Sequence, residues 1–278
     1  MKILKIKCID QIGLISKIST VLFENNINMI KIDEYVEPEE KIFFFRAEIE
    51  GDDSKIDLQQ KIKDILAGGP ETKIELIELR QKKLVILATK EPHCLGDILL
   101  RSKSKALNID VKCVIANHDY LEDLTRKLDI PFFFIDHEDL TRHEHAQKMI
   151  DQIEVFDPDY IVLAKYMRFL PENFVSKFKD KIINIHHSFL PAFIGASPYK
   201  QAYQRGVKMI GATSHFVTIE LDEGPIIEQD ILQIDHSYNA NELAHLGKDV
   251  EQMVLSKALK YVCEDRVFVH KNKTVVFK

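Results

Sequence analysis

Apolar and polar positions along the first eighty residues follow two periods in turn. Leu4, Ile6 and Cys8 alternate with Lys5 and Lys7, which predicts a strand over 3–9. Leu14, Ile18, Val21 and Leu22 then recur at helical spacing, and a second strand is expected over 27–37. After the charged turn "EPEEK", the stretch "KIFFFRAEIEG" predicts a third strand, "SKIDLQQKIKDILAGG" a second helix and "ETKIELIELR" a last strand. The order βαββαβ folds as one four-stranded antiparallel sheet with both helices on one face, a ferredoxin-like unit over residues 1–81. "QKK" at 81–83 is the linker.

From residue 84 to 278 the pattern changes to strands alternating with helices, the mark of a mostly parallel, Rossmann-like α/β sheet. Strands are expected over 84–88, 109–117, 131–135, 160–166 and 181–187, with helices over 95–106, from near Leu121, and from the capping box Thr141-Arg142-His143-Glu144. Two more strands follow residue 207. A helix then carries the stripe Leu243, Leu246, Val250, Val254, Ala258 and Tyr261, and a closing hairpin turns at Lys271 to Lys273.

Length supports the two-domain division, because 278 residues exceed the size at which single cores stop growing. A net charge of −6 argues against nucleic acid and anionic membranes as partners, since both need a basic face. No apolar run approaches the roughly 20 residues that cross a bilayer, and the start alternates like a strand rather than forming a signal-peptide core, so a cytoplasmic chain is expected. Cys8, Cys94, Cys113 and Cys263 contain no C-x-x-C pair, which suggests neither a disulfide frame nor a thiolate zinc site.

Candidate chemistry begins at "KIINIHH", where a buried strand ends in polar groups. Asn184 and His186 are two apart and share one side of the strand, while His187 points to the other. Ligands of open parallel sheets bind beyond the carboxyl ends of the strands, so an amide and an imidazole converge at the functional rim. Taken alone, the pair could equally satisfy neighbouring backbone groups. A second constellation, "GATSHFVTIELDEGPIIEQ", places Asp222 on a tight Asp-Glu-Gly-Pro turn between two strands. A carboxylate, an amide and an imidazole together suit attack on an acyl carbon.

"INIHHSFLPAFIGASPYKQAY" and "GATSHFVTIELDEGPIIEQD", with "TKEPHCLGDILL", "LAKYMRFL" and "RVFVHKNKTVVF", closely resemble the formyltetrahydrofolate deformylases, hydrolases of the folate-dependent formyltransferase superfamily. "GLISKISTVLFENNINM" is similar to an ACT domain. The resemblance implies hydrolysis of 10-formyltetrahydrofolate to formate and tetrahydrofolate, which feeds one-carbon metabolism and formate supply for purine biosynthesis. It carries the catalytic roles to Asn184, His186 and Asp222. It carries substrate contacts to Met167, Arg168, Phe169 and Leu170, to His215, and to the loop Thr218, Ile219, Glu220 and Leu221. Folate enters as substrate; neither a prosthetic group nor a metal is implied. The ACT likeness implies an amino-acid effector contacted by Asp10, Gly13 and Leu14 and by Asn26 to Met29, including Asn28, and a homo-oligomer. Two positions depart from the pattern, Ser197 for a basic residue and Lys200 for a His, which touches only outer substrate contacts.

Three rivals remain open. Formyl transfer to an amine uses the same trio, but the related glycinamide ribonucleotide enzymes carry a glycine-rich phosphate loop where this chain has Pro92, His93 and Cys94. A metallohydrolase is suggested by His186-His187, His215 and His143-x-His145, although that last pair would sit about 200° apart around a helix. A non-catalytic amino-acid or folate sensor is the third.

Overall fold

The computed structural model describes residues 1–54, 56–66, 72–192 and 198–278. The chain divides into two compact units, one of residues 1–80 with 277–278 and one of residues 81–276. In the first, β1 (Lys2–Ile9), α1 (Leu14–Glu24), β2 (Asn28–Glu37), β3 (Ile42–Glu50), α2 (Leu58–Ile65) and β4 (Lys73–Glu78) follow in order. The sheet order is β2-β3-β1-β4, antiparallel throughout, as the alternating pattern predicts.

Alternation decides which side chains enter the core of this unit. Leu4, Ile6 and Cys8 of β1 and Phe43, Phe45, Ala47 and Ile49 of β3 meet Leu14, Ile18 and Leu22 of α1 and Leu58 and Ile62 of α2. Both helices therefore cover one face. The Asp57 side chain caps α2 by accepting from the Gln60 amide at 2.9 Å, which starts the helix later than its apolar pattern does.

The second unit runs β5 (Lys82–Ala88), α3 (Pro92–Lys103), β6 (Ile109–Ala116), α4 (Glu122–Arg126), β7 (Phe132–Phe134), α5 (Arg142–Glu154), β8 (Tyr160–Ala164), α6 (Glu172–Lys177) and β9 (Ile182–His186). It continues through α7 (Pro198–Arg205), β10 (Met209–Phe216), β11 (Ile226–Gln233), α8 (Ala240–Cys263) and the hairpin β12 (Val267–His270) and β13 (Lys273–Val276). The seven-stranded sheet has the order β11-β10-β9-β8-β5-β6-β7. β5 through β9 pair in parallel, whereas β10 runs antiparallel to both β9 and β11.

Two cores lie on opposite faces of this sheet, and β9 feeds both. Ile183 and Ile185 join Leu84, Ile86, Val162 and Ala164 under α3 and α8. Ile182 joins Val85, Leu87, Ile161 and Leu163 under α5 and α6. By period two, Asn184 and His186 lie on the α5/α6 face and His187 on the α3/α8 face.

The structure moves one predicted helix. α3 starts at Pro92 rather than 95, because proline has no N–H to lose in the first turn and its fixed φ suits the helix. His93 and Cys94 thus stand on the first turn. α6 and α7 carry too few apolar positions to announce themselves. The capping box at Thr141 and Glu144 forms as expected, and all four cysteines are buried and free. No helix among the described residues is long and apolar enough to cross a membrane.

Phe45 is fully buried in the core of the first unit. Phe45→Ala should destabilise that unit by about 3–5 kcal/mol, the usual cost of emptying a buried aromatic site. Hydrogen exchange of amides in β1 and β3 during denaturant titration reads the loss directly.

Candidate active site

The antiparallel junction of β9 with β10 builds the centre of the site. Asn184 pairs in register with His215 across the two strands, so their side chains leave the sheet together on one face. Asn184 Nδ2 lies 3.2 Å from His215 Nε2. His215 Nδ1 donates to the Phe216 carbonyl at 2.9 Å, which turns Nε2 towards Asn184 and, at 3.7 Å, towards Asp222 Oδ1. His186 Nδ1 lies 3.3 Å from Asp222 Oδ2.

Asp222 reaches these rings because its backbone takes a left-handed conformation with φ +57°, one that Asp adopts more readily than most residues. Two residues on, a Cβ at Gly224 would stand 1.8 Å from the Phe216 carbonyl oxygen, so only glycine lets the turn close against β10. Phe216 N–H in turn donates to the Pro225 carbonyl at 2.9 Å. Rigid turn chemistry therefore fixes where the carboxylate stands.

Burial would raise the Asp222 carboxyl, but the His186 and His215 rings beside it override that and hold the group well below the usual carboxylate range. An ionised Asp222 accepts the His186 Nδ1–H. That leaves His186 Nε2, buried and without a protein partner, as the ring atom facing the cavity. Buried polar atoms left open in this way mark places where a ligand completes the bonding.

A cavity of about 300 Å³ opens over these groups. Asn184, His186, His215 and Asp222 line it together with Met167, Arg168, Phe169 and Leu170 from the segment after β8, and Thr218, Ile219 and Leu221 from the loop after β10. Its size matches the lower end of small-molecule pockets, and its lining is apolar with a few convergent polar groups. The Met167 amide donates to Thr89 Oγ1 at 3.0 Å, and the Arg142 guanidinium lies 5.9 Å from the Phe169 ring centroid. Glu220 is the exception among the expected contacts: it is exposed and stands outside the lining, and its carbonyl accepts Thr218 Oγ1–H at 3.1 Å.

The expected effector residues are not brought together within one chain. Asp10, Gly13 and Leu14 lie at the start of α1, while Asn26 to Met29 follow its end, so the helix's 11 residues separate them, about 16 Å at helical rise. Gly13 holds φ +83° at the helix entry and Leu14 is buried in the core. Ser197 lies outside the described residues, and Lys200 is exposed on α7. His145 is buried with Nε2 3.0 Å from the Ile135 carbonyl, while its neighbour His143 is exposed.

Sequence reasoning missed a second polar cluster. Glu251, almost fully buried on α8, accepts from Tyr199 Oη at 2.7 Å and from the Lys165 ammonium at 3.0 Å, and meets His93 Nε2 at 2.8 Å. Burial alone would raise the Glu251 carboxyl, but His93, Lys165 and Tyr199 pull it down to about 2. The signal was present: Glu251 interrupts the buried face of a helix otherwise lined by Leu243, Val250, Val254 and Ala258. His93, Cys94 and Glu251 also have ligand atoms within 4.8 Å of one another, a set that could hold a cation. Lys165 already supplies the positive charge there, both Glu251 oxygens are engaged, and burial pushes the Cys94 thiol upward, away from the thiolate a metal needs.

Comparison with known proteins agrees with this geometry. The ACT domain pattern matches residues 2–66 and the formyl transferase pattern residues 82–259. A formyltetrahydrofolate deformylase of Haemophilus influenzae is 50% identical over 99% of this chain and 98% of its own length. The chain belongs to the formyltetrahydrofolate deformylase family. The crystal structure of a family member from Pseudomonas syringae superposes with a TM-score of 0.94 at 37% identity, covering 100% of this chain and 94% of that one. The glycinamide ribonucleotide transformylase 1 of Symbiobacterium toebii shares the fold over 73% of this chain and 97% of its own, with a TM-score of 0.70 and 25% identity.

Two outcomes test the local architecture. Gly224→Ala should cost at least about 1–3 kcal/mol, the range for forcing extra volume into a packed site, and urea unfolding measures it. Glu251, held at about 2 when folded against 4.5 ordinarily, stabilises fully above 4.5, and that contribution fades as pH falls towards 2. The stability gap between the parent chain and Glu251→Gln should therefore narrow across that window.

Proposed function

We propose that this protein hydrolyses 10-formyltetrahydrofolate to formate and tetrahydrofolate in the cytosol, with Asp222, His186 and Asn184 performing the chemistry. The observation that carries the assignment is the approach of Asp222 to His186 at 3.3 Å beside Asn184, at the floor of the cavity. The folate's pterin end sits between the Met167–Leu170 segment and the Thr218–Leu221 loop, and the formyl group projects towards the trio.

An amide carbon is a poor electrophile and water a poor nucleophile, so both must be helped. Asn184 Nδ2–H and the His186 ring face the oxygen on which negative charge develops, where one well-placed donor is worth roughly 10²–10³ in rate. Asp222 accepts a proton from the attacking water and passes one to the departing folate nitrogen. The new C–O bond forms, the C–N bond breaks, and formate and the amine leave with no other reactant.

His215 is a positioning residue in this scheme. Its Nδ1 is committed to the Phe216 carbonyl, so its Nε2 holds the Asn184 amide and leaves one Asn184 N–H for substrate. The ACT-like unit is read as regulatory, taking an amino-acid effector and pairing with further copies of the chain. The separation of the Asp10–Leu14 and Asn26–Met29 segments supports a site completed by a second copy.

Asp222→Asn should lower turnover by roughly 10²–10⁴, the range for general acid–base catalysis, while still binding folate, as read by formate release and ligand titration. Combined with Asn184→Ala, the loss should be far smaller than the product of the single losses. An Asp222→Asn protein that kept most of its hydrolysis would remove the residue from the mechanism.

A further inference from the structure

Next to the Asn184–His215 pair, the sheet carries a second row of polar side chains that the chemistry above does not use. His186 pairs in register with Thr213 of β10, and Thr213 pairs in register with Gln229 of β11. Residues opposite one another in antiparallel strands share a face, so His186, Thr213 and Gln229 lie side by side. Thr213 is fully buried and does not line the catalytic cavity. Its hydroxyl therefore has no substrate to meet.

That hydroxyl is bonded to capacity. Thr213 Oγ1–H donates to the Ser188 carbonyl at 2.8 Å, and the oxygen accepts from the Leu190 amide at 3.0 Å and from Gln229 Nε2 at 2.8 Å. A hydroxyl has one hydrogen and two lone pairs, and all three are engaged. Gln229 Nε2 donates as well to the Leu190 carbonyl at 3.0 Å. Ser188 Oγ donates onward to the Ala192 carbonyl at 2.7 Å. Two side chains from neighbouring strands thus grip residues 188–190, the stretch that begins two positions after His186.

The grip falls where the strand is least supported. β9 ends at His186, and its parallel register with β8 stops at Asn184. Only β10 continues the register beyond that point among the described residues, and Thr213 opposite His186 is the last pair. A strand end with a ladder on one side opens more readily than a strand interior. The His186 ring must nevertheless keep Nδ1 3.3 Å from Asp222 Oδ2 and leave Nε2 to the cavity. Small displacements of such a group are costly in rate.

We propose that Thr213, backed by Gln229, is a positioning residue for deformylation: its hydroxyl clamps the chain leaving β9 so that the His186 ring stays against Asp222 and open to the formyl group. Thr213 touches neither substrate nor the reacting atoms and acts through His186 alone. Valine has nearly the shape of threonine but would leave the Ser188 carbonyl and the Leu190 amide without their partner. Serine keeps the hydroxyl. The inference rests on the deformylation site as assigned above.

The experiment measures kcat and KM for formate release from 10-formyltetrahydrofolate by the full chain, with urea unfolding of each variant alongside. Thr213→Val should lower kcat by about 10², the cost of moving a catalytic group by roughly 1 Å. KM should stay within about twofold of the parent, because the cavity walls that hold folate are untouched. Thr213→Ser should keep most of the parent kcat. Gln229→Met removes one of the three bonds and should lower kcat by a smaller factor at unchanged KM. In a His186→Ala background the further change on adding Thr213→Val should be under about threefold, since residues that act as a unit are not additive. A folded Thr213→Val with the parent kcat, a loss confined to KM, Thr213→Ser as slow as Thr213→Val, or a full second loss on top of His186→Ala would each overturn the proposal. If Thr213→Val does not fold, Gln229→Met carries the same comparisons, and its keeping the parent kcat would overturn the proposal too. His186→Ala alone reports on the site: undiminished turnover there would remove the assignment of His186 itself, whereas its loss with none in Thr213→Val sinks only the positioning role.

Discussion

The contact between the Asp222 carboxylate and the His186 ring is the constraint on which the rest of the site depends. It joins two segments that approach from different directions, the end of β9 and the turn between β10 and β11. A carboxylate placed there needs a left-handed backbone at Asp222 and a missing Cβ at Gly224, and both are present. Because β10 runs antiparallel beside β9, its last residues Phe216 and Val217 stand beside Ile183 and Ile182, so the turn that follows folds back towards His186 to bring Asp222 to the ring.

The same strand end serves both faces of the sheet. Alternation along β9 gives one face Asn184 and His186 and the other face His187. The first face carries the catalytic-site cavity proposed for folate, and the second meets α3 and α8 with their buried Glu251 cluster. In this chain the second face holds a set of paired charges around Glu251.

Much of this was legible in the residues. The period-two and helical patterns of the first eighty positions led to the observed sheet, and the Asn184, His186 and Asp222 spacing led to side chains that the fold does bring together. Glu220 stands outside the cavity lining because spacing alone does not say which side of a loop faces a cavity. The helix over α3 was set late because Pro92 reads as a breaker, although the first turn tolerates it. The Glu251 cluster went unread because its members lie at positions 93, 165, 199 and 251, and only the tertiary fold makes them neighbours. Long-range pairing of that kind leaves a weak trace in sequence, here a charged residue on an apolar helix face.

The most direct test of the central claim is a crystal structure of Asp222→Asn with 10-formyltetrahydrofolate bound. The account predicts the formyl oxygen within about 3 Å of both His186 Nε2 and Asn184 Nδ2, ordinary hydrogen-bond distance, with a water between residue 222 and the formyl carbon. A formyl group directed away from both donors, with the folate seated elsewhere than between the Met167–Leu170 and Thr218–Leu221 segments, would contradict it.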